Sequence, residues 1–178
     1  MGNFFWAVMA ILGLLAGVPV FVLVFLLFFW IVFGKNSSAR KPVLAFDYGG
    51  VITKGDFFTG KFSVNPGMKE LVSRLNKKYK TVVVTNDNAL AFDHVSKHFS
   101  TDNLFAKKFI SSNIGYLKPD KRFYQKVLAE LNAKPEEVIY IDDKLEYAQE
   151  ARKLGIKSIH FKSENELIGE LKKYGVTA

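Results

Sequence analysis

A long apolar stretch at the beginning of the chain constrains its fold more than any other feature. Residues 4–33 contain no charged side chain and no polar side chain other than the indole groups of two tryptophans. About 20 helical residues cross a bilayer core of about 30 Å, so the stretch suits one crossing and is short for two. We therefore predict one transmembrane anchor helix over residues 1–34. A cleaved signal peptide is the alternative that the sequence leaves open.

The charged residues lie on one side of this stretch and indicate its orientation. All 25 Lys and Arg residues and all 17 Asp and Glu residues occur at or after Lys35. By the positive-inside rule, the larger part of a single-pass protein would lie on the cytoplasmic side of the membrane. Its net charge of +8 would attract it to anionic lipid headgroups. The lysines are scattered and form no basic helix, so we expect no nucleic-acid partner.

The remaining sequence divides into a short linker and one domain. The polar residues 35–41 are predicted to be the linker, and residues 42–178 are long enough to bury a core of their own. Within the predicted anchor, Gly13 and Gly17 form a GxxxG pattern that would allow a homo-oligomeric or hetero-oligomeric helix contact. The chain has no cysteine, which excludes disulfides and thiolate metal sites.

Strand-like and helix-like segments alternate through the predicted domain. Predicted strands cover residues 43–46, 81–85, 109–111, 138–141 and 158–161, and predicted helices cover 66–78, 89–99, 119–131 and 145–154. Asn65 is expected to cap the first helix, and a Ser163-x-x-Glu166 capping box opens a last one. This alternation predicts an α/β fold, a Rossmann-like, doubly wound and mostly parallel sheet covered on both faces.

Polar side chains follow three of the predicted strands. They are Asp47, Thr85 with Asn86 and Asp87, and Asp142 with Asp143, and Lys118 precedes a predicted helix. Each of them alone is explained by a turn, a helix cap or a solvated surface. The carboxyl ends of parallel strands meet at one edge of a sheet, which is where such folds bind ligands. Together these groups supply a nucleophile, phosphate donors and a cation site, as phosphoryl transfer requires.

The order of four short motifs resembles the haloacid dehalogenase superfamily of phosphatases. The motifs are Asp-Tyr-Gly-Gly-Val-Ile at 47–52, Val-Val-Val-Thr-Asn at 82–86, Gly-Tyr-Leu-Lys-Pro-Asp at 115–120 and Ile-Tyr-Ile-Asp-Asp at 139–143. A response-regulator receiver would instead place its acidic pair after the first strand and its lysine last. A dinucleotide-binding domain would need a G-x-G-x-x-G pattern after the first strand, which this sequence lacks.

The resemblance implies a magnesium-dependent phosphatase and a role for each residue of these motifs. Asp47 would attack phosphorus and form an aspartyl-phosphate, while Lys118 offsets the negative charge. Phosphoryl oxygens would be bound by Thr85 and by backbone amides of Asn86 and Gly50. Mg²⁺ would be held by Asp47, the backbone carbonyl of Gly49, Asp142 and Asp143, an oxygen-only set that suits this ion.

Two positions depart from the pattern of the family. Gly49 stands where phosphatases of the family carry a second Asp that protonates the leaving group, and Asp87 and His94 are candidate substitutes. Tyr147 stands where an Asn or Asp often supports the metal. These departures keep an alternative open, in which the chain is a weakly active or inactive membrane-tethered interaction subunit.

The spacing between the motifs leaves no room for a cap domain. Thr85 follows Asp47 by 38 positions, and Lys118 follows Thr85 by 33. We therefore expect an open site that admits a large phosphorylated substrate. With a short linker and a basic surface, a phosphate carried by a membrane lipid is the preferred substrate class.

Overall fold

The computed structural model describes residues 40–56 and 61–178, together with Val22, Val24 and Phe25. Among these residues, no helix combines the length and the apolar character that crossing a bilayer requires. The predicted anchor helix and most of the predicted linker lie outside the described residues, and they stay predictions.

The described residues from 40 onward contain seven strands and six helices. The strands are β1 (Val43–Phe46), β2 (Thr53–Asp56), β3 (Lys61–Val64), β4 (Thr81–Thr85), β5 (Lys107–Ile110), β6 (Val138–Asp142) and β7 (Lys157–His160). The helices are α1 (Pro66–Asn76), α2 (Ala89–His98), α3 (Ser111–Ile114), α4 (Lys121–Leu131), α5 (Leu145–Lys153) and α6 (Glu164–Lys173). Short 3₁₀ turns occur at Asp102–Leu104 and Pro135–Glu137.

Five of the strands form one parallel sheet in the order β5-β4-β1-β6-β7. The predicted α/β fold is therefore confirmed for the described residues. The chain runs outward from β1 in both directions, to β4 on one side and to β6 on the other. This reversal opens a crevice at the carboxyl end of β1, where doubly wound sheets bind their ligands.

Alternate residues of the strands build a core on each face of the sheet. On one face, Leu44 and Phe46 of β1 belong to an apolar cluster with residues of α1, α2 and α6. On the other face, Ala45 belongs to a cluster with residues of α4 and α5. Because side chains alternate along a strand, this packing leaves the strand ends as the place where polar groups reach the surface.

Several local predictions need correction. The antiparallel hairpin of β2 and β3 was not predicted, because its Thr-Lys-Gly-Asp strand is polar. Helix α4 begins at Lys121 rather than at Pro119, since the Asp120 side chain accepts the N–H of Arg122 and Pro119 lies in the preceding turn. Asn65 makes no side-chain cap bond at the start of α1. Ser163 does cap α6 by accepting the N–H of Glu166.

The edge strand β5 also differs from its prediction at 109–111. It begins at Lys107 and ends at Ile110, and Ser111 already starts α3. The first two residues of the strand were not predicted because Lys107 and Lys108 are charged. Charged side chains are common on edge strands. Their ammonium groups form ion pairs with Glu130 and Asp93.

Candidate active site

The loop after β1 holds the first of the predicted site residues, Asp47, at the carboxyl end of the central strand. The carbonyl of Tyr48 accepts hydrogen bonds from the backbone N–H groups of Ile52 (2.9 Å) and Thr53 (3.0 Å), which closes the loop. The Tyr48 side chain is buried, and its hydroxyl lies 2.7 Å from Oγ1 of Thr101. The loop is thereby anchored on the core, and Asp47 is only 6% exposed.

Lys118 lies between two of the predicted acidic residues. Its Nζ donates to Oδ1 of Asp47 at 2.8 Å and to Oδ2 of Asp142 at 2.8 Å. A third hydrogen bond goes to the carbonyl oxygen of Val84 at 3.0 Å. The ammonium group is therefore fully engaged and buried, and it joins the ends of β1, β4 and β6 in one ion-paired cluster.

Asn86 fixes the backbone of Lys118. Its side-chain nitrogen donates to the Lys118 carbonyl (2.9 Å), and its side-chain oxygen accepts the Lys118 N–H (2.8 Å). The side-chain amide of Asn86 thus positions the lysine, and the substrate role predicted for this residue rests on its backbone N–H. Thr85, which precedes it at the end of β4, is buried beside this cluster.

Two tyrosines lie beside the buried charges, and of these the sequence analysis singled out Tyr147 but not Tyr140. The hydroxyl of Tyr140 donates to Oδ2 of Asp142. Burial, and next to it the negative charge of Asp142, raise the pKa of Tyr140 well above its ordinary value. Residues i and i+2 of a strand face the same side, so the Ile-Tyr-Ile-Asp pattern already carried this signal. Tyr147 lies with its ring centroid 5.2 Å from Nζ of Lys118 and contributes a cation–π contact.

Asp143 completes the acidic part of the site. Its Oδ1 atom is buried and has no hydrogen-bond partner within the described part of the chain. Ligand oxygens of Asp47, Asp142 and Asp143 all lie within 4.8 Å of one another. Three carboxylates around one ammonium leave uncompensated negative charge, and oxygen-only donors match Mg²⁺. The residues present therefore fit this ion.

Gly50 makes room for this carboxylate. A Cβ atom at Gly50 would lie 2.2 Å from Oδ2 of Asp143, and the backbone φ of +78° is one that other residues rarely adopt. Gly49 differs, since a Cβ atom there would have no other atom within 4 Å. His160 supports the site from β7, where its Nε2 lies 3.0 Å from the carbonyl oxygen of Asp143. The sequence analysis did not include His160.

Burial sets the electrostatics of the nucleophile candidate. Desolvation raises the pKa of Asp47 to about 7, against the opposing attraction of Lys118 and with a further rise from Asp142. Burial, followed by the charge of Asp142, also raises the pKa of Asp143. A cation bound among these carboxylates would favour their charged forms and lower both values.

The two candidate proton donors lie in different surroundings. Asp87 is partly buried, and burial raises its pKa. It lines an open groove at the carboxyl edge of the sheet, with a volume of about 670 Å³. His94 is exposed on α2 and is not among the residues that line this groove. The structure therefore favours Asp87 of the two.

Comparison with known proteins places these residues in a family. Residues 52–161, more than half of the chain, match the family described as haloacid dehalogenase-like hydrolase. The match includes Thr85, Lys118, Asp142 and Asp143 and begins five positions after Asp47.

Two curated relatives are phosphatases by name. The chain is 32% identical over 100 residues to a glyceraldehyde 3-phosphate phosphatase from Pyrococcus furiosus, covering 54% of this chain and 41% of the relative. It is 33% identical over 104 residues to a sesquiterpene phosphatase from Aspergillus oryzae, covering 57% of this chain and 53% of the relative. The chain thus spans about half or less of the length of these relatives.

A solved structure shares the fold. A HAD family enzyme from Bacteroides thetaiotaomicron, determined in complex with magnesium and inorganic phosphate, aligns with a TM-score of 0.62 and 17% identity. The alignment covers 71% of this chain and 98% of that chain.

Proposed function

The chain belongs to the haloacid dehalogenase-like hydrolase family, and from this premise we propose that it is a Mg²⁺-dependent phosphomonoesterase. The observation that carries the proposal is the cluster in which Lys118 bridges Asp47 and Asp142 while an oxygen of Asp143 has no partner within the described residues. Two relatives whose names denote phosphatases support the same reaction class.

Asp47 is the nucleophile of the proposed reaction. Its carboxylate attacks phosphorus, the ester P–O bond breaks, and the leaving oxygen takes up a proton, for which Asp87 is the proposed donor. An aspartyl-phosphate forms on Asp47, and water then hydrolyses it to inorganic phosphate and the free carboxylate. The ordered loop after β1 holds Asp47 at the end of its strand, so little reorganisation precedes the attack.

The other site residues hold charge in place during this reaction. Lys118 stabilises the negative charge that Asp47 and the phosphoryl group share, and Asn86 keeps the lysine in register. Thr85 and the backbone amides of Asn86 and Gly50 would bind the phosphoryl oxygens. Asp47, Asp142, Asp143 and the Gly49 carbonyl would hold Mg²⁺, which when bound neutralises charge on the phosphoryl oxygens.

We propose that the enzyme acts at the membrane surface. In this proposal residues 1–34, with their apolar stretch 4–33, would be a single-pass anchor, and the basic domain that follows would lie against anionic headgroups on the cytoplasmic side. The substrate is a phosphomonoester carried by a membrane lipid. The name of the sesquiterpene phosphatase relative supports an apolar leaving group.

Phosphate release by the full-length protein in anionic liposomes tests this function. Lipid phosphates and water-soluble phosphomonoesters are compared, with Mg²⁺ or a chelator. We expect Mg²⁺-dependent release that Asp47→Asn abolishes and that the surface substitution Asp93→Asn leaves intact. Equal release by wild type and a folded Asp47→Asn protein would refute the enzyme and favour the interaction subunit. Cleavage of soluble substrates alone would refute the lipid substrate.

A further inference from the structure

The groove beside Asp87 adjoins the proposed reaction centre. Asn86, which fixes Lys118, forms part of its wall, and the groove continues along α3 to the loop that ends at Leu117. Its volume of about 670 Å³ would accommodate a group much larger than phosphate. Because Asn86 lines the groove and also binds the Lys118 backbone, the groove begins beside the residues that hold the phosphoryl group in the proposed function.

Polar groups in the groove are largely satisfied within the chain. The hydroxyl of Ser111 donates to the Asp87 carbonyl (3.1 Å) and accepts its backbone N–H (3.0 Å). The hydroxyl of Ser112 accepts the N–H of Ala89 at 3.0 Å. These bonds hold the loop after β4 against α3, and they reduce the capacity of the wall to bind a polar ligand.

The opposite charges in the groove are paired with each other. Asp120 accepts two hydrogen bonds at 3.0 Å from Nε of Arg122, and the guanidinium group lies 4.4 Å from the ring centroid of Tyr116. An anionic or cationic ligand would have to compete with this pair. Because they are paired with each other, these two charged side chains line the end of the groove but attract a charged ligand only weakly.

Apolar surface remains open on the same wall. Leu117, which lines the groove, is 60% exposed although it immediately precedes the buried Lys118. Leu90 in the first turn of α2 is 83% exposed, but it is not among the residues that line the groove. Leu145, which is 47% exposed, begins α5 at the same edge of the sheet but does not line the groove. When a ligand covers an exposed leucine beside a binding site, apolar surface is removed from water, and this stabilises the complex.

We propose that this groove binds the apolar organic part of the phosphomonoester, with Leu117 as its main specificity-determining contact. The inference rests on the proposed function and names the substrate class of the same site, an ester with an extended hydrocarbon chain. Its occupant is assigned from the continuity of the groove with Asn86 and from the exposed leucine on its wall.

A homologous series of n-alkyl phosphates, from ethyl to hexyl and below their micelle concentrations, tests the assignment. The full-length protein is assayed in nanodiscs. A fully buried methylene would raise kcat/KM by up to about fourfold, so we expect about twofold per methylene in an open groove. Leu117→Ser should flatten this increase, so that hexyl phosphate loses more of its kcat/KM than ethyl phosphate does. The matched substitution Leu145→Ser, at an exposed leucine outside the groove, should preserve it.

Three results would overturn the inference. They are a flat series in the wild type, equal flattening by Leu117→Ser and Leu145→Ser, or a phosphotyrosine peptide that outcompetes hexyl phosphate and depends on Leu117. Hexylphosphonate and methylphosphonate, whose binding is measured calorimetrically, provide a readout that needs no turnover. Hexylphosphonate should bind more tightly than methylphosphonate to the wild type, and Leu117→Ser should remove the difference. If the wild type released phosphate from none of the esters but still bound hexylphosphonate more tightly than methylphosphonate, the proposed phosphatase activity would be refuted and the groove inference would stand.

Discussion

Restoring a carboxylic acid at Gly49 is the most direct test of how the leaving group receives its proton. A Cβ atom at this position would have no other atom within 4 Å, and its φ lies outside the left-handed region. Gly49→Asp can therefore be introduced without displacing the loop. By the family resemblance, the new carboxyl group would stand where other members carry their general acid.

The expected gain depends on the leaving group. General acid catalysis contributes about 10²–10⁴-fold when the departing oxygen needs a proton. An acid that the surrounding loop did not evolve to orient should deliver at most the lower limit of this range, about tenfold to a hundredfold in kcat for alkyl phosphates. p-Nitrophenyl phosphate, whose leaving group departs as a stable anion, should gain less than about twofold.

Steady-state phosphate release from ethyl and p-nitrophenyl phosphate measures this difference. Gly49→Asn is the matched control, because it has nearly the same shape and no acidic proton. A selective gain for ethyl phosphate by Gly49→Asp alone supports the reasoning. An equal change for both substrates, or the same gain from Gly49→Asn, would refute proton donation as the cause.

Three further predictions follow from the site. Gly50→Ala should weaken Mg²⁺ activation at least about tenfold, because its Cβ would collide with the Asp143 carboxylate, and a Mg²⁺ titration of activity checks this. Asp87→Asn should slow alkyl phosphates about tenfold or more, whereas the exposed His94→Gln should leave kcat unchanged. Burial raises the pKa of Asp47 to about 7, so in chelator the folded protein binds a proton that the unfolded chain releases near pH 4. The free energy of unfolding should therefore fall between about pH 4 and pH 7, and Asp47→Asn should remove part of this slope in urea titrations.

The placement of the chemistry could be predicted from the sequence because it depends on topology. Thr85 and Asp142 end their strands and Asp47 directly follows β1, and parallel strands bring such residues to one edge of the sheet. Lys118 was grouped with them because it precedes a predicted helix, and the resemblance added its role. No local pattern indicates that its ammonium group would reach two carboxylates and a carbonyl.

The parts that were missed depend on tertiary packing. The hairpin of β2 and β3 has a polar sequence, so its strands carry no alternating apolar signal. The amide of Asn86 reaches the Lys118 backbone across 32 residues, and His160 reaches the Asp143 carbonyl across 17. Such contacts depend on the order of the strands in the sheet, which brings together residues that are distant in the sequence. The groove likewise exists only because α3 and the loop after β4 are held together.

The free-energy cost of burying the charged groups of this site favours catalysis over a purely structural role. Asp142 is fully buried and Asp47 nearly so, and among the described residues Lys118 alone bridges the two carboxylates. A buried cluster of this kind contributes little net stability, and apolar residues of similar volume would stabilise a scaffold as well or better. The orphaned oxygen of Asp143 adds a further desolvation cost. A cation and a phosphoryl group that bind there recover this cost, since the first supplies the missing charge and the second engages the lysine. An interaction subunit that needed only the fold would gain nothing from retaining these charges.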